Sequence, residues 1–196
     1  MYKMKSTKIN WKAIPLIEAV DYEQPNPYIV TNKIKEAGKY PVLTPGKSFI
    51  KGYTDEVEGI FTQTPVIIFD DFTTASKYVD FDFKVKSSAM KILKPKTPLV
   101  NIKYVFYQMK LVKINASTHK RYYISKYQHL PFLFPFKGEV IDIETQNMMV
   151  DKIESQFSVL DKVEDIVENS LKKAKQLRKS ILKSAFQTKG KVDNYE

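Results

Sequence analysis

Apolar residues change their period once along this chain. Before about residue 138 they come in short runs, and after it they recur at spacings of three and four. In the first region Pro41-Val42-Leu43, Val66-Ile67-Ile68-Phe69 and Met90-Lys91-Ile92-Leu93 have the length and composition of strands. Pro45-Gly46, Lys51-Gly52, Glu58-Gly59 and Lys94-Pro95 read as turns between them. Ile102, Val105, Phe106 and Met109 share a helical period, so a helix is expected from about Asn101 to Lys113, with Asn101 as its N-cap. Asp80 and Asp82 alternate with Phe81, Phe83 and Val85, which predicts an edge strand with solvated acids. Short strands with an occasional helix give an irregular α/β or α+β domain.

After the change of period one stripe dominates. Val150, Ile153, Phe157, Leu160, Val163, Val167, Leu171, Ala174, Leu177, Ile181 and Ala185 mark one face of one long helix, from roughly residue 146 to 187. Such a helix extends about 60 Å at about 1.5 Å per residue. Asp151, Glu154, Asp161, Glu164, Asp165 and Glu168 fall in its first half, and Lys172, Lys173, Lys175, Arg178, Lys179 and Lys183 in its second. That order complements the helix dipole. An apolar face of this length needs a partner. A surface helix folded back on its own domain is the plainer alternative.

Composition marks the same boundary. All 10 prolines lie at or before Pro135, and Glu139 to Lys189 holds neither proline nor glycine. The expected division is 1–138 for the mixed domain, 139–190 for the helix and 191–196 for a tail. Hydrophobic residues make up 43% of the 196, enough for a packed core. With no cysteine, disulfides, thiolate zinc sites and cysteine nucleophiles are excluded together, which fits a reducing cytoplasm. The start, MYKMKSTKINW, is basic without a following apolar run and is not read as a signal peptide. No stretch has the apolar length of a membrane span. The formal charge of +10 favours nucleic acid or another anionic surface as partner. Arg121 and Arg178 are the only arginines, so the usual guanine reader is scarce.

Several clusters invite chemical readings. Asp70 and Asp71 close an apolar run, and Asp82-Phe83-Lys84 follows, so a divalent metal held by Asp70, Asp71 and Asp82 beside a lysine would suit a nuclease. Asp71 with Thr73 and Thr74 reads equally as a turn or helix cap. His119-Lys120-Arg121-Tyr122-Tyr123 interleaves cations with aromatics, which suits phosphate contacts and packing on sugars or bases. A solvated basic loop with tyrosines tucked into a core is the alternative there. Gly46-Lys47-Ser48 lacks the earlier glycine of a phosphate-binding loop and reads as a loop with an exposed lysine. His119 and His129 alone do not make a zinc site. No serine sits in a nucleophile-elbow context.

Taken together, LTPGKSFIKGYTDEVEGIF, PVIIFDDFTTASKYVDFDFKVKSSAMKIL and HKRYYISKY resemble a target recognition domain from the specificity subunits of type I restriction–modification enzymes. MMVDKIESQFSVLDKVEDIVENSLKKAKQLRKSILKSAFQTKGKV resembles that family's conserved helical region. Full specificity subunits carry two of each in tandem, whereas this chain has one of each and no internal repeat. It also departs at the connector, which here is LPFLFPFKGEVIDIETQ in place of a short Pro-Pro-Leu-Glu type of link.

The resemblance implies a non-catalytic, cytoplasmic DNA-binding half-subunit. It would direct methyltransferase and restriction subunits to a split target on double-stranded DNA. The DNA-contact candidates are Lys47, Ser48, Tyr53 and Thr54; Lys77, Lys84, Lys86, Ser87 and Ser88; and His119, Lys120, Arg121, Tyr122 and Tyr123. Ile153, Phe157, Leu160, Val163, Val167, Leu171, Ala174, Leu177 and Ile181 would pair two copies as an antiparallel coiled coil and dock the methyltransferase. Two identical chains would read a palindromic site. S-adenosylmethionine, ATP and magnesium are expected on partner subunits, with no cofactor or metal on this chain. A stand-alone nuclease using Asp70, Asp71 and Asp82, or a truncated interaction protein that occupies methyltransferase subunits unproductively, are the rival readings.

Overall fold

The computed structural model describes residues 9–46, 48–112 and 121–189. The chain divides into two compact units, Met1–Val150 and Asp151–Glu196. In chain order the elements are β1 (Asn10–Pro15), α1 (Leu16–Ala19), β2 (Val20–Glu23), β3 (Tyr40–Leu43), β4 (Ile50–Thr54), β5 (Val66–Asp70) and β6 (Ser76–Val79). Then come β7 (Lys84–Val85), β8 (Met90–Pro95), α2 (Ile102–Met109), β9 (Pro131–Lys137), β10 (Val140–Ile141) and α3 (Ile143–Lys189).

The strands form three small sheets, in the orders β1-β9-β10, β2-β8-β5-β6 and β4-β3-β7. Every pairing is antiparallel except β3 with β7. The apolar run of β5 explains the centre of the first unit. With a period of two, Ile67 and Phe69 enter one core while Val66 and Ile68 enter another. The first core also takes Leu16, Leu93, Val105, Tyr123, Tyr127 and Phe134. The second takes Leu43, Phe61, Phe83, Val85, Met90 and Ile92. Burying a side chain of this size stabilises by about 1.5–3 kcal/mol, so β5 contributes to both cores at once.

The α2 helix begins as its sequence predicts. Asn101 Oδ1 accepts from the backbone N–H groups of Lys103 and Tyr104 at 2.9 and 3.0 Å. It ends at Met109, and Lys113 lies outside the described residues. Two of the expected turns are corrected. Lys51-Gly52 lies inside β4, and Lys94-Pro95 closes β8 opposite Val20 and Asp21. Glycine in a strand marks a close backbone approach, and that is its role at position 52.

The unusual connector builds structure of its own. β9 and β10 form a hairpin through Gly138, whose φ is 64°. Asp142 then caps α3: Oδ1 accepts from Glu144 N at 3.2 Å and Oδ2 from the Thr145 hydroxyl at 2.6 Å. The helix therefore starts at Ile143, ahead of the expected residue 146. From Asp151 to Gln187 its side chains are exposed, apart from the half-buried Ile153 and Glu154. No helix among the described residues is long and apolar enough to cross a membrane.

Candidate nucleic-acid interface

Three stretches far apart in sequence converge at one end of the β2-β8-β5-β6 sheet. The last residue of β5, Asp70, pairs with Met90, the first of β8, so Ser87 and Ser88 lie just before that edge. The carbonyl of Asp71 accepts from Tyr122 N at 2.9 Å, which brings Arg121 to the same end. Lys86 N donates to Leu43 O at 3.0 Å, and Leu43 pairs with Ile50 of β4. A continuous strip thus runs from β4 through Lys86, Ser87 and Ser88 to Arg121. Ser48, Lys86, Ser87, Ser88 and Arg121 are all exposed on it. Lys77, half-buried on β6, places Nζ 5.9 Å from the Phe49 ring centre, and Phe49 lies 6.2 Å from Phe81. Lys47, His119 and Lys120 fall outside the described residues.

The acids of the same region are scaffold. Asp70 Oδ1 accepts from Phe72 N at 2.8 Å and Thr73 N at 3.0 Å, closing the turn in which Thr74 takes a φ of 60°. The expected turn cap is therefore Asp70, one residue before Asp71. Asp71, 3% exposed, accepts from Tyr123 N at 2.9 Å, and its other oxygen lies 3.7 Å from Lys91 Nζ. Lys91 is 2% exposed and also donates to Gln24 Oε1 at 3.0 Å. Asp71 thus holds the 121–123 segment down and answers a buried cation. Asp82 is exposed, and among the described residues no three His, Cys, Asp or Glu side chains are placed to hold a metal ion. The placement of Asp70 and Asp71 gives the nuclease reading no support.

Four of the contact candidates are interior residues. Tyr122 and Tyr123 are buried, and burial pushes the Tyr123 phenol well above its usual range. Thr54 is buried and its hydroxyl accepts from Glu56 N at 3.2 Å. Lys84, a DNA-contact candidate, is 3% exposed: Nζ lies 2.6 Å from Glu56 and donates to the Glu58 carbonyl at 2.7 Å. β7 is outermost in its sheet, but Val85 also bridges Ile29 on the far side, and with Phe83, Lys84 and Val85 all buried the expected period of two fails. Burial by itself would raise the Glu56 carboxyl. Hydrogen bonds from Lys84, Asn32 and Thr31 outweigh it and bring the group down to about 2. Tyr53 is half-buried on β4 beside a segment that sequence patterning missed, Ile34–Glu36. Gly52 was the available signal for that segment, as a glycine within a strand.

No family model matches the chain. Over 141 residues, 67% of its length, the chain is 45% identical to the specificity subunit of the type I restriction enzyme EcoR124I/EcoR124II from Escherichia coli. The chain is a homologue of a type I restriction enzyme specificity subunit. It spans about a third of that relative's length, 34%. Among solved structures, the S subunit of a type I restriction–modification system from M. genitalium matches 85% of this homologue with a TM-score of 0.60 and 18% identity, over 44% of its own chain. A chain from a structure concerned with complex assembly and conformational transition of the type I R–M system matches 94% with a TM-score of 0.61 and 14% identity, over 48% of its own chain. The specificity-subunit homologue therefore has the fold of those chains: a mixed-sheet domain followed by a long helix.

Proposed function

We propose that this specificity-subunit homologue is a non-catalytic DNA reader of a type I restriction–modification system. The observation that carries the reading is the 45% identity to a specificity subunit, on a chain that pairs one mixed-sheet domain with one long helix. The domain would lay its basic strip on a DNA groove, lysines fixing register on phosphates and polar side chains meeting base edges. Methyltransferase and restriction subunits would supply the chemistry, with S-adenosylmethionine, ATP and magnesium bound there. The site of action would be the cytoplasm.

The chain would work as a half-subunit, two copies pairing through their long helices. Ile153, Leu160, Val167, Ala174 and Ile181 follow one another at intervals of seven, the repeat of a left-handed coiled coil. The acidic first half and basic second half favour an antiparallel pair, which sets opposite charges side by side where a parallel pair would oppose like charges. Two identical readers about a two-fold axis would recognise a palindrome split by a fixed gap.

Co-expression with a type I methyltransferase subunit, followed by mapping of methylated adenines in the host genome, tests this. The expected result is one split, palindromic motif that vanishes when this chain is omitted. An asymmetric motif would reject the symmetric pair. Absence of any motif, from a complex that co-purifies, would point to an unproductive interaction protein.

A further inference from the structure

The segment Ile34–Glu36 forms a strap across the middle of β4. Lys35 N donates to Tyr53 O at 2.9 Å, and Tyr53 N donates back to Lys35 O at 2.8 Å. The strap sits close because position 52 is glycine. A Cβ there would stand 2.4 Å from Ile34 Cγ2 and 2.5 Å from the Lys35 carbonyl, and Gly52 has a φ of 148°. Asp55 fastens the strap further, 2.8 Å from Lys35 Nζ and accepting from Lys39 N at 3.0 Å.

Between the strap and the β4 surface lies an open groove of about 460 Å³, lined also by Ile50, Lys51, Tyr53 and Lys86. The charge of Lys35 is answered by Asp55. Lys51 and Lys86 are exposed, and among the described residues neither takes part in an ion pair. The groove lacks the enclosure that a small-molecule pocket needs. It offers two unanswered point charges and a half-buried tyrosine along a rigid wall, which matches the spaced charges of a polyanion.

The geometry points to this groove as a seat for the sugar–phosphate backbone of duplex DNA, with Lys51 and Lys86 as phosphate contacts. This rests on the DNA-reading function proposed above and adds to it a surface walled by the Ile34–Glu36 strap. Glu36, exposed on the groove wall, then repels the phosphates and moderates affinity.

The test uses the full chain assembled with a methyltransferase subunit and a DNA duplex of mixed sequence, with affinity measured against salt. Lys51→Ala and Lys86→Ala should each weaken binding and lower the salt slope by about one unit. Glu36→Gln should tighten binding. All three side chains are exposed, and matching thermal unfolding curves would confirm that the fold survives. Wild-type slopes in both lysine variants would overturn the groove while leaving the functional reading in place. If the groove seats a protein subunit, the lysine variants fail to co-purify with the methyltransferase subunit, which also rejects it. An assembly that binds no duplex even at low salt would reject both the groove and the reading.

Discussion

The first unit packs two apolar cores, and the second leaves an apolar stripe exposed. Ile67, Ile68, Phe69, Phe83 and Leu93 are fully buried between sheets. Leu160, Val163, Val167, Leu171, Leu177 and Ile181 on α3 remain 49–62% exposed. Charge follows the reverse rule. Lys84 and Lys91 are taken inside the first unit and matched by Glu56 and Asp71, whereas the helix keeps its lysines in water. The mixed domain therefore closes on itself, while the helix carries apolar surface of the kind that marks an interface.

The contrast is broken most strongly at the helix. Changing Leu160 and Leu171 together to Glu removes four apolar side chains from a two-fold pair. That forfeits about 6–12 kcal/mol at about 1.5–3 kcal/mol per side chain. Molar mass in solution should fall from dimer to monomer, while the first unit unfolds at its usual temperature. A wild-type chain that is monomeric at every concentration would refute the pairing. The converse break lies in the first unit, at Asp71. Asp71→Ala deletes the acceptor for Tyr123 N and leaves Lys91 buried opposite nothing charged. Breaking a buried pair costs about 3–5 kcal/mol, so the midpoint of denaturant unfolding should drop sharply while helix-driven assembly persists. An unchanged midpoint would show that Asp71 does not anchor the 121–123 segment.

Both halves of this contrast were partly legible in the sequence. The runs around Val42, Ile67 and Ile92 proved to be strands, and Asn101 proved to be a cap, because period and capping chemistry are local signals. The long helix was legible for the same reason, although its start was displaced by the Asp142 cap and the β9–β10 hairpin. The candidate site was less legible. Lys84 looked like a surface residue because a lysine is polar at its tip, whereas for Tyr122 and Tyr123 a place in the core was one of two open readings, and it is the one the fold adopts. Their burial depends on Glu56 and Asp71, which stand 28 and 51 or more residues away in sequence. Pairing across such distances leaves no local trace. The Ile34–Glu36 strap was invisible for a related reason: its seat is an absent Cβ at Gly52, and glycine more often signals a turn.

The smallest effect at neutral pH separates the two units by acid. Glu56 ordinarily titrates near 4.5 and is held at about 2 in the fold. Between those values the unfolded chain binds a proton that the folded chain does not. The stabilisation from Glu56 is therefore complete above about 4.5 and is lost as pH falls toward about 2. Glu56→Gln keeps one oxygen to accept from Thr31 N and Asn32 N, turns an amide NH2 toward Lys84 in place of the second oxygen, and has no charge to lose. Asp142 and Glu23 are also held below their usual range, so wild-type stability declines in acid for more than one reason. The informative quantity is the difference between wild type and Glu56→Gln. It should be largest near neutral pH and shrink steadily below about 4.5, read from denaturant unfolding of the first unit. A difference that stays constant down to about 2 would mean that the carboxylate is not what binds Lys84 to the 31–32 segment.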